Sequence, residues 1–130
     1  MTTRKAIPFY GTCAARSELT LVSGRIGTAY TLAHIRARFA AGCQNLLKLR
    51  IYADESQAAP TTGPPSGMSL LRDYSPIDYL VGDDDTKDID HQAPVAERGT
   101  WLKIYAVNDD WYDHAVDVQL TIDIPARGEE

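Results

Sequence analysis

Apolar and polar residues alternate with a period of two along much of the chain, the signature of strands with one dry and one wet face. The pattern is clearest from His114 to Ile124, where Val116, Val118, Leu120, Ile122 and Ile124 alternate with Asp117, Gln119, Thr121 and Asp123. Pro125 ends that strand, having no N–H to offer a ladder. Thr100 to Val107 sets Leu102, Ile104 and Ala106 against Trp101, Lys103 and Tyr105. Asn108-Asp109-Asp110 is turn chemistry, so these two segments are predicted to form a hairpin whose loop carries Trp111 and Tyr112. Leu47 to Tyr52 alternates as plainly. Tyr30 to Phe39 reads as a strand with Ala33, Ile35, Ala37 and Phe39 inward and Tyr30, Leu32, His34, Arg36 and Arg38 outward. A helix capped by Thr31 also fits there, with Leu32, Ile35 and Phe39 on one face. The strand is preferred, because a helix would leave Leu47–Tyr52 without its neighbour across the Ala41–Asn45 hairpin loop.

Shorter segments complete the count. Glu18 to Ser23 and Ile77 to Val81 are predicted strands, and Met68 to Leu71 is a candidate return to the sheet. Ala58 to Gly67 is too rich in Pro and Gly to be a helix or an interior strand. The N-terminal segment Thr2 to Tyr10 fits either a first strand or a flexible arm. Seven or eight short strands at this spacing indicate an all-β antiparallel sandwich or barrel. The chain divides into an arm or first strand over 1–17, one sandwich domain over 18–124 and a tail over 125–130. Val81-Gly82-Asp83-Asp84 and Val107-Asn108-Asp109-Asp110 echo each other, as two similar strand exits would.

Composition adds limits. With 130 residues, 44% apolar and 24% charged, one globular domain is expected. No apolar run approaches the ~20 residues of a membrane-spanning helix, and the basic N-terminus lacks the apolar stretch of a signal peptide. A net charge of −5 argues against a nucleic-acid partner, which requires a basic face. Arg36, Arg38, Lys48 and Arg50 are the best basic candidates, expected to form the solvated side of one amphipathic hairpin. Cys13 and Cys43 lie among small residues and fit buried thiols; their spacing defines neither a disulfide nor a metal site. The wet faces also carry Tyr30, Leu32, Tyr52, Trp101 and Tyr105, so a second sheet or another copy of the chain is expected to cover them.

No catalytic constellation emerges. His34, His91 and His114 fall on three separate elements, with no nucleophile elbow to pair with them. Asp83 to His91 holds five carboxylates in eight residues, yet Lys87 breaks the calcium-loop spacing and the turn glycine is missing. A solvated acidic loop, or an edge strand guarded by charge, is the simpler reading. Trp101, Tyr105, Trp111 and Tyr112 cluster in sequence and suit either sheet cover or an interface anchor. No cofactor is called for.

The order Glu18–Ile26, Tyr30–Phe39, Leu46–Tyr52, Gly99–Asp109 and Val116–Ile124 resembles the small jelly-roll decoration (cement) proteins of tailed-phage capsids. The resemblance implies an eight-stranded jelly-roll sandwich and a non-enzymatic role. It implies a homotrimer that binds the major capsid protein on the outer shell of a virion assembled in the host cytoplasm. Nucleic acid and membrane are not expected partners. Arg4, Lys5, Ile7 and Phe9 in the N-terminal segment, with Trp111 and Tyr112, are the candidate docking residues. The alternative is a carbohydrate- or receptor-binding sandwich that uses Trp111 and Tyr112 beside Asp109, Asp110 and Asp113.

Overall fold

The alternating segments form eight strands in the computed structural model, which describes residues 2–56, 63, 65, 67–71 and 79–125. They are β1 (Thr2–Cys13), β2 (Glu18–Val22), β3 (Tyr30–Phe39), β4 (Leu47–Asp54), β5 (Met68–Ser69), β6 (Asp85–Val95), β7 (Trp101–Asn108) and β8 (His114–Pro125). Pairing runs first with last: β1 with β8, β2 with β7, β3 with β6 and β4 with β5, all antiparallel. The further pairs β3–β8 and β4–β7 join these into two sheets, of order β1-β8-β3-β6 and β2-β7-β4-β5. A long antiparallel hairpin wrapped into two facing sheets in this order is a jelly roll. Of the two readings of the N-terminal segment, the strand is the one observed: Thr2 to Cys13 pairs with β8 along its whole length.

Consecutive strands mostly lie in opposite sheets, which corrects two expectations. Neither Ala41–Asn45 nor Asn108–Asp113 closes a hairpin; each carries the chain from one sheet to the other. Alternation records which face of a strand is dry, and both kinds of connection satisfy it. The β3–β4 crossing turns on three residues with positive φ, Gly42 (98°), Gln44 (49°) and Asn45 (60°), a conformation tolerated by glycine and, less readily, asparagine. Arg36 and Arg38 therefore lie outside one sheet while Lys48 and Arg50 lie outside the other, so the four bases form no common face.

The core lies between the sheets, filled by Ile35, Phe39, Leu120 and Ile122 from one side and Leu49, Ile51, Leu102 and Ile104 from the other. β3 departs from strict alternation. Its register slips between Leu32 and His34, where Ala33 is an extra residue opposite β8. The bulge lets Tyr30 and Leu32 point inward before it and Ile35, Ala37 and Phe39 after it. Tyr30 and Leu32, expected outside, are core residues for this reason.

The outer face of β7 is also covered within one chain. Lys103 is 0% exposed and Tyr105 is buried. The Lys103 ammonium donates to Asp54 Oδ2 at 2.9 Å, and the Tyr105 hydroxyl donates to the Glu18 carboxylate. Burial, then Glu18, pushes the Tyr105 phenol up to about 12. The Gly63 N–H donates to the other Glu18 oxygen at 3.1 Å. Outside the described residues lie most of the Pro/Gly-rich stretch 58–67, Ile77 and Asp78 of the expected 77–81 strand, and the tail beyond Pro125. Leu80 itself forms a bridge to Leu49.

The acidic run is β6 from Asp85 onward, a charged edge strand. At its entry Gly82 is buried against Phe39, and a Cβ built there would stand 2.7 Å from the Phe39 ring. Gly82→Ala is accordingly expected to cost about 1–3 kcal/mol by forcing a core side chain to shift. Urea titration checks this, and an unchanged midpoint would refute the close approach.

Candidate functional site

Four loops meet at one end of the sandwich. The β1–β2 turn docks on the β7–β8 loop through Arg16 N–H to Asp110 O (2.9 Å) and Ala15 N–H to Asp113 Oδ1 (2.8 Å). The β3–β4 loop joins through Asp109 N–H to Leu46 O at 3.0 Å, and the β5–β6 loop through Gly42 N–H to Asp83 Oδ1 at 2.9 Å. Of the two echoing segments, Val81–Asp84 leads into β6 and Val107–Asp110 leaves β7, so they are not two similar strand exits, yet both are tied to the same β3–β4 crossing.

Asn108 organises the β7–β8 loop. It is buried, and its amide nitrogen lies 3.2 Å from the carbonyls of Cys13 and Ala14 and 2.8 Å from that of Tyr112. Its side-chain oxygen accepts from the Asp110 N–H at 3.0 Å. One side chain therefore ties the β1–β2 turn to both limbs of the loop. Asp110 accepts from Trp111 N–H (2.7 Å) and sits 2.8 Å from His114 Nε2. Asp109 pairs with Lys48 at 3.5 Å. All three loop carboxylates are thereby engaged in holding the loop.

What the scaffold presents is aromatic. Trp111 is 76% exposed and Tyr112 73%. The Arg16 guanidinium lies over the Trp111 ring, 4.9 Å from its centroid, and holds the indole from one side. The other docking candidates lie elsewhere. Arg4 is exposed but bonded to Asp123 at 2.9 Å; Lys5 is exposed, Ile7 is partly buried against the core and Phe9 is buried. Arg4 pairs beside the C-terminal end of β8, whereas Cys13 pairs with His114 beside the aromatic loop. Nine strand positions, roughly 30 Å, separate them, so the two groups of candidates are not one site.

The titratable groups behave as scaffold. The His114 hydrogen bond, then the Trp111 N–H, hold the Asp110 carboxyl below the usual aspartate range. Its stabilising effect is present above the ordinary aspartate pKa and is lost as pH falls through the lowered value. The Trp111 and Tyr112 amide resonances are therefore expected to move together on acidification below about pH 4. Resonances that stay in place there would contradict this. His34 shows the opposite sign: Asp90 (2.7 Å), then Asp88 (3.1 Å), raise it above the ordinary histidine value. That contribution is complete below pH 6.5 and fades as pH rises through the raised value.

Burial pushes the Cys13 thiol up to about 11 and raises Cys43 as well, and both thiols are free, which suits packing rather than nucleophilic chemistry. Asp83 and Asp85 are bound by Gly42 N–H, Asp83 N–H and Lys87. Among the described residues no group of three or more His, Cys, Asp or Glu is placed to hold a metal ion.

Turn chemistry and aromatic clustering made the Trp111–Tyr112 loop visible in the sequence. Two other participants carry no such signal: Asn108 reads in the sequence only as a turn residue, and Arg16 as an ordinary loop base.

No known family and no curated protein matches this chain. Among solved structures it is similar to the mitogen derived from Yersinia pseudotuberculosis, at 11% identity and a TM-score of 0.40, over 100% of this chain and 92% of that one. It is also similar to a chain of infectious bursal disease virus, Gx strain, at 12% identity and a TM-score of 0.46, over 99% of this chain and 33% of that one. A family two carbohydrate esterase from Cellvibrio japonicus gives 9% identity and a TM-score of 0.42, over 96% and 35%. At these values none of the three bears on function, and the fold assignment rests on the strand order itself.

Proposed function

We propose that this chain is a non-enzymatic structural protein of a virion, a capsid decoration protein that binds the outer shell through the loop end bearing Trp111 and Tyr112. The observation that carries the docking surface is the contrast within one loop: every carboxylate and the buried Asn108 are spent on holding it, and two large aromatics are left in solvent. Aromatic side chains on a fixed backbone lose little freedom on binding and often dominate interface energetics. The virion setting rests on the sequence resemblance, with which the jelly-roll strand order agrees. The homotrimer rests on that resemblance too, since Tyr30, Leu32 and Tyr105 are already buried within one chain.

A protein that binds assembled shells but not loose subunits stabilises the shell by its binding free energy, and three linked copies add avidity. Co-sedimentation with tailed-phage capsid shells and with unassembled subunits of their major capsid protein tests the proposal. Binding to shells alone is expected; equal binding to subunits, or none to shells, overturns it. Light scattering at micromolar concentration is expected to give three times the 14.3 kDa monomer mass, and a monomer would remove the trimer. Exposure of Trp111 and Tyr112 also favours a carbohydrate-binding reading. Glycan-array binding that Trp111→Ala abolishes would establish that reading instead.

A further inference from the structure

We infer that the outer face of the β1-β8-β3-β6 sheet carries a pocket for a single neutral sugar ring, formed by Tyr10, Arg38 and Asp117 over a floor of Ala40 and Ala115. Register builds it. Tyr10 pairs with Asp117 across β1–β8, and Asp117 with Arg38 across β8–β3, so the three occupy one row over three strands. One row nearer the loop end the side chains are small: Ala115 pairs with Thr12, and Ala40 follows the last residue of β3. The step from large to small leaves a cavity of about 240 Å³ lined by these five residues. Ligand sites for drug-sized molecules run to about 300–1,000 Å³, so this one suits a single ring.

The polar groups set it apart from the rest of the face. Elsewhere on this sheet cross-strand charges are closed on each other, Arg4 on Asp123 at 2.9 Å and His34 on Asp90 at 2.7 Å. Arg38 and Asp117 are direct neighbours, yet among the described residues neither makes a hydrogen bond or ion pair. A guanidinium that only donates and a carboxylate that only accepts are thus both left open beside an exposed aromatic ring. Hydroxyl groups donate and accept, so adjacent ring hydroxyls satisfy both, while the apolar C–H face of a sugar packs on Tyr10. The pair carries no net charge, which favours a neutral ligand over an anion or cation. The pocket does not include Trp111 or Tyr112, and the inference stands apart from the docking role proposed for them.

Titration of the full-length protein with the methyl glycosides of glucose, galactose and mannose and with N-acetylglucosamine, read by amide chemical shifts, tests the inference. At least one is expected to give saturable shifts confined to Tyr10, Ala40, Ala115, Asp117 and their neighbours. The expected Kd is of order 1 mM, from about 12 non-hydrogen atoms at ligand efficiencies of ~0.3 kcal/mol each. Tyr10→Ala, Arg38→Gln and Asp117→Asn are each expected to weaken binding about 10-fold with amide spectra unchanged away from the pocket. Trp111→Ala is expected to leave it unchanged. No saturable shift at about 100 mM, far above that Kd, overturns the inference. So do shifts centred on Trp111 and Tyr112, or glycine proving the better ligand by placing its carboxylate on Arg38 and its ammonium on Asp117.

Discussion

Asp54→Ala is expected to destabilise the protein by about 3–5 kcal/mol, whereas replacing both ends of the same ion pair, Asp54→Ala together with Lys103→Met, is expected to be neutral or stabilising. Lys103 is wholly buried on the outer face of β7, and its ammonium lies 2.9 Å from Asp54 Oδ2. Val22 and Tyr52 flank it on the adjacent strands. Removing the carboxylate alone leaves the buried cation among these side chains without its partner. Replacing the lysine as well, by a methionine of similar length, removes both charges of the pair and keeps the packing volume around position 103. For a chain of this size the first variant should melt roughly 10–20 °C lower. Denaturant and thermal unfolding of both variants provide the measurement. Equal small losses for the two would show that this face is solvated rather than covered.

Asn108→Ala is the second large effect, about 2–4 kcal/mol. The change leaves the Cys13, Ala14 and Tyr112 carbonyls and the Asp110 N–H without their shared partner. An unsatisfied buried group costs about 1–3 kcal/mol, and water reaching the loop recovers part of the sum. The loss should be local as well as global. Hydrogen exchange is expected to speed up over 109–113 and 14–17 before it changes in the core strands. Asn108→Asp is informative beside it, because the retained oxygen still accepts from Asp110 N–H while the donor is gone. With a carboxylate set against three carbonyl oxygens in a buried site, it should cost at least as much as the alanine variant at neutral pH.

The sequence made some of this legible for physical reasons. β2, β4, β7 and β8 each have one face on the core, so their apolar residues recur every second position and survive inspection. β6 does not, because Asp88, Asp90 and Pro94 face out and only Ile89, Ala93 and Val95 mark its dry side around a register slip. The β3 bulge hid Tyr30 and Leu32 in the same way, since one inserted residue reverses the parity of everything before it. Pairing partners were not legible at all. That Asn108–Asp113 crosses between sheets depends on β8 choosing β1 and β3 over β7, a contact between distant segments. The functional end divides along the same line. Trp111 and Tyr112 are adjacent in sequence and were visible, whereas Tyr10, Arg38 and Asp117 meet only through the registers of three strands.

The central claim is that Trp111 and Tyr112, on a loop fixed by its own carboxylates, form the docking surface. Saturable co-sedimentation of full-length Trp111→Ala, Tyr112→Ala and Arg4→Ala variants with capsid shells tests it most directly. The two aromatic variants are expected to lose at least about 10-fold in affinity, as hot-spot truncations do, and Arg4→Ala to bind as the wild type does. Loss with Arg4→Ala and full binding by both aromatic variants would contradict the account.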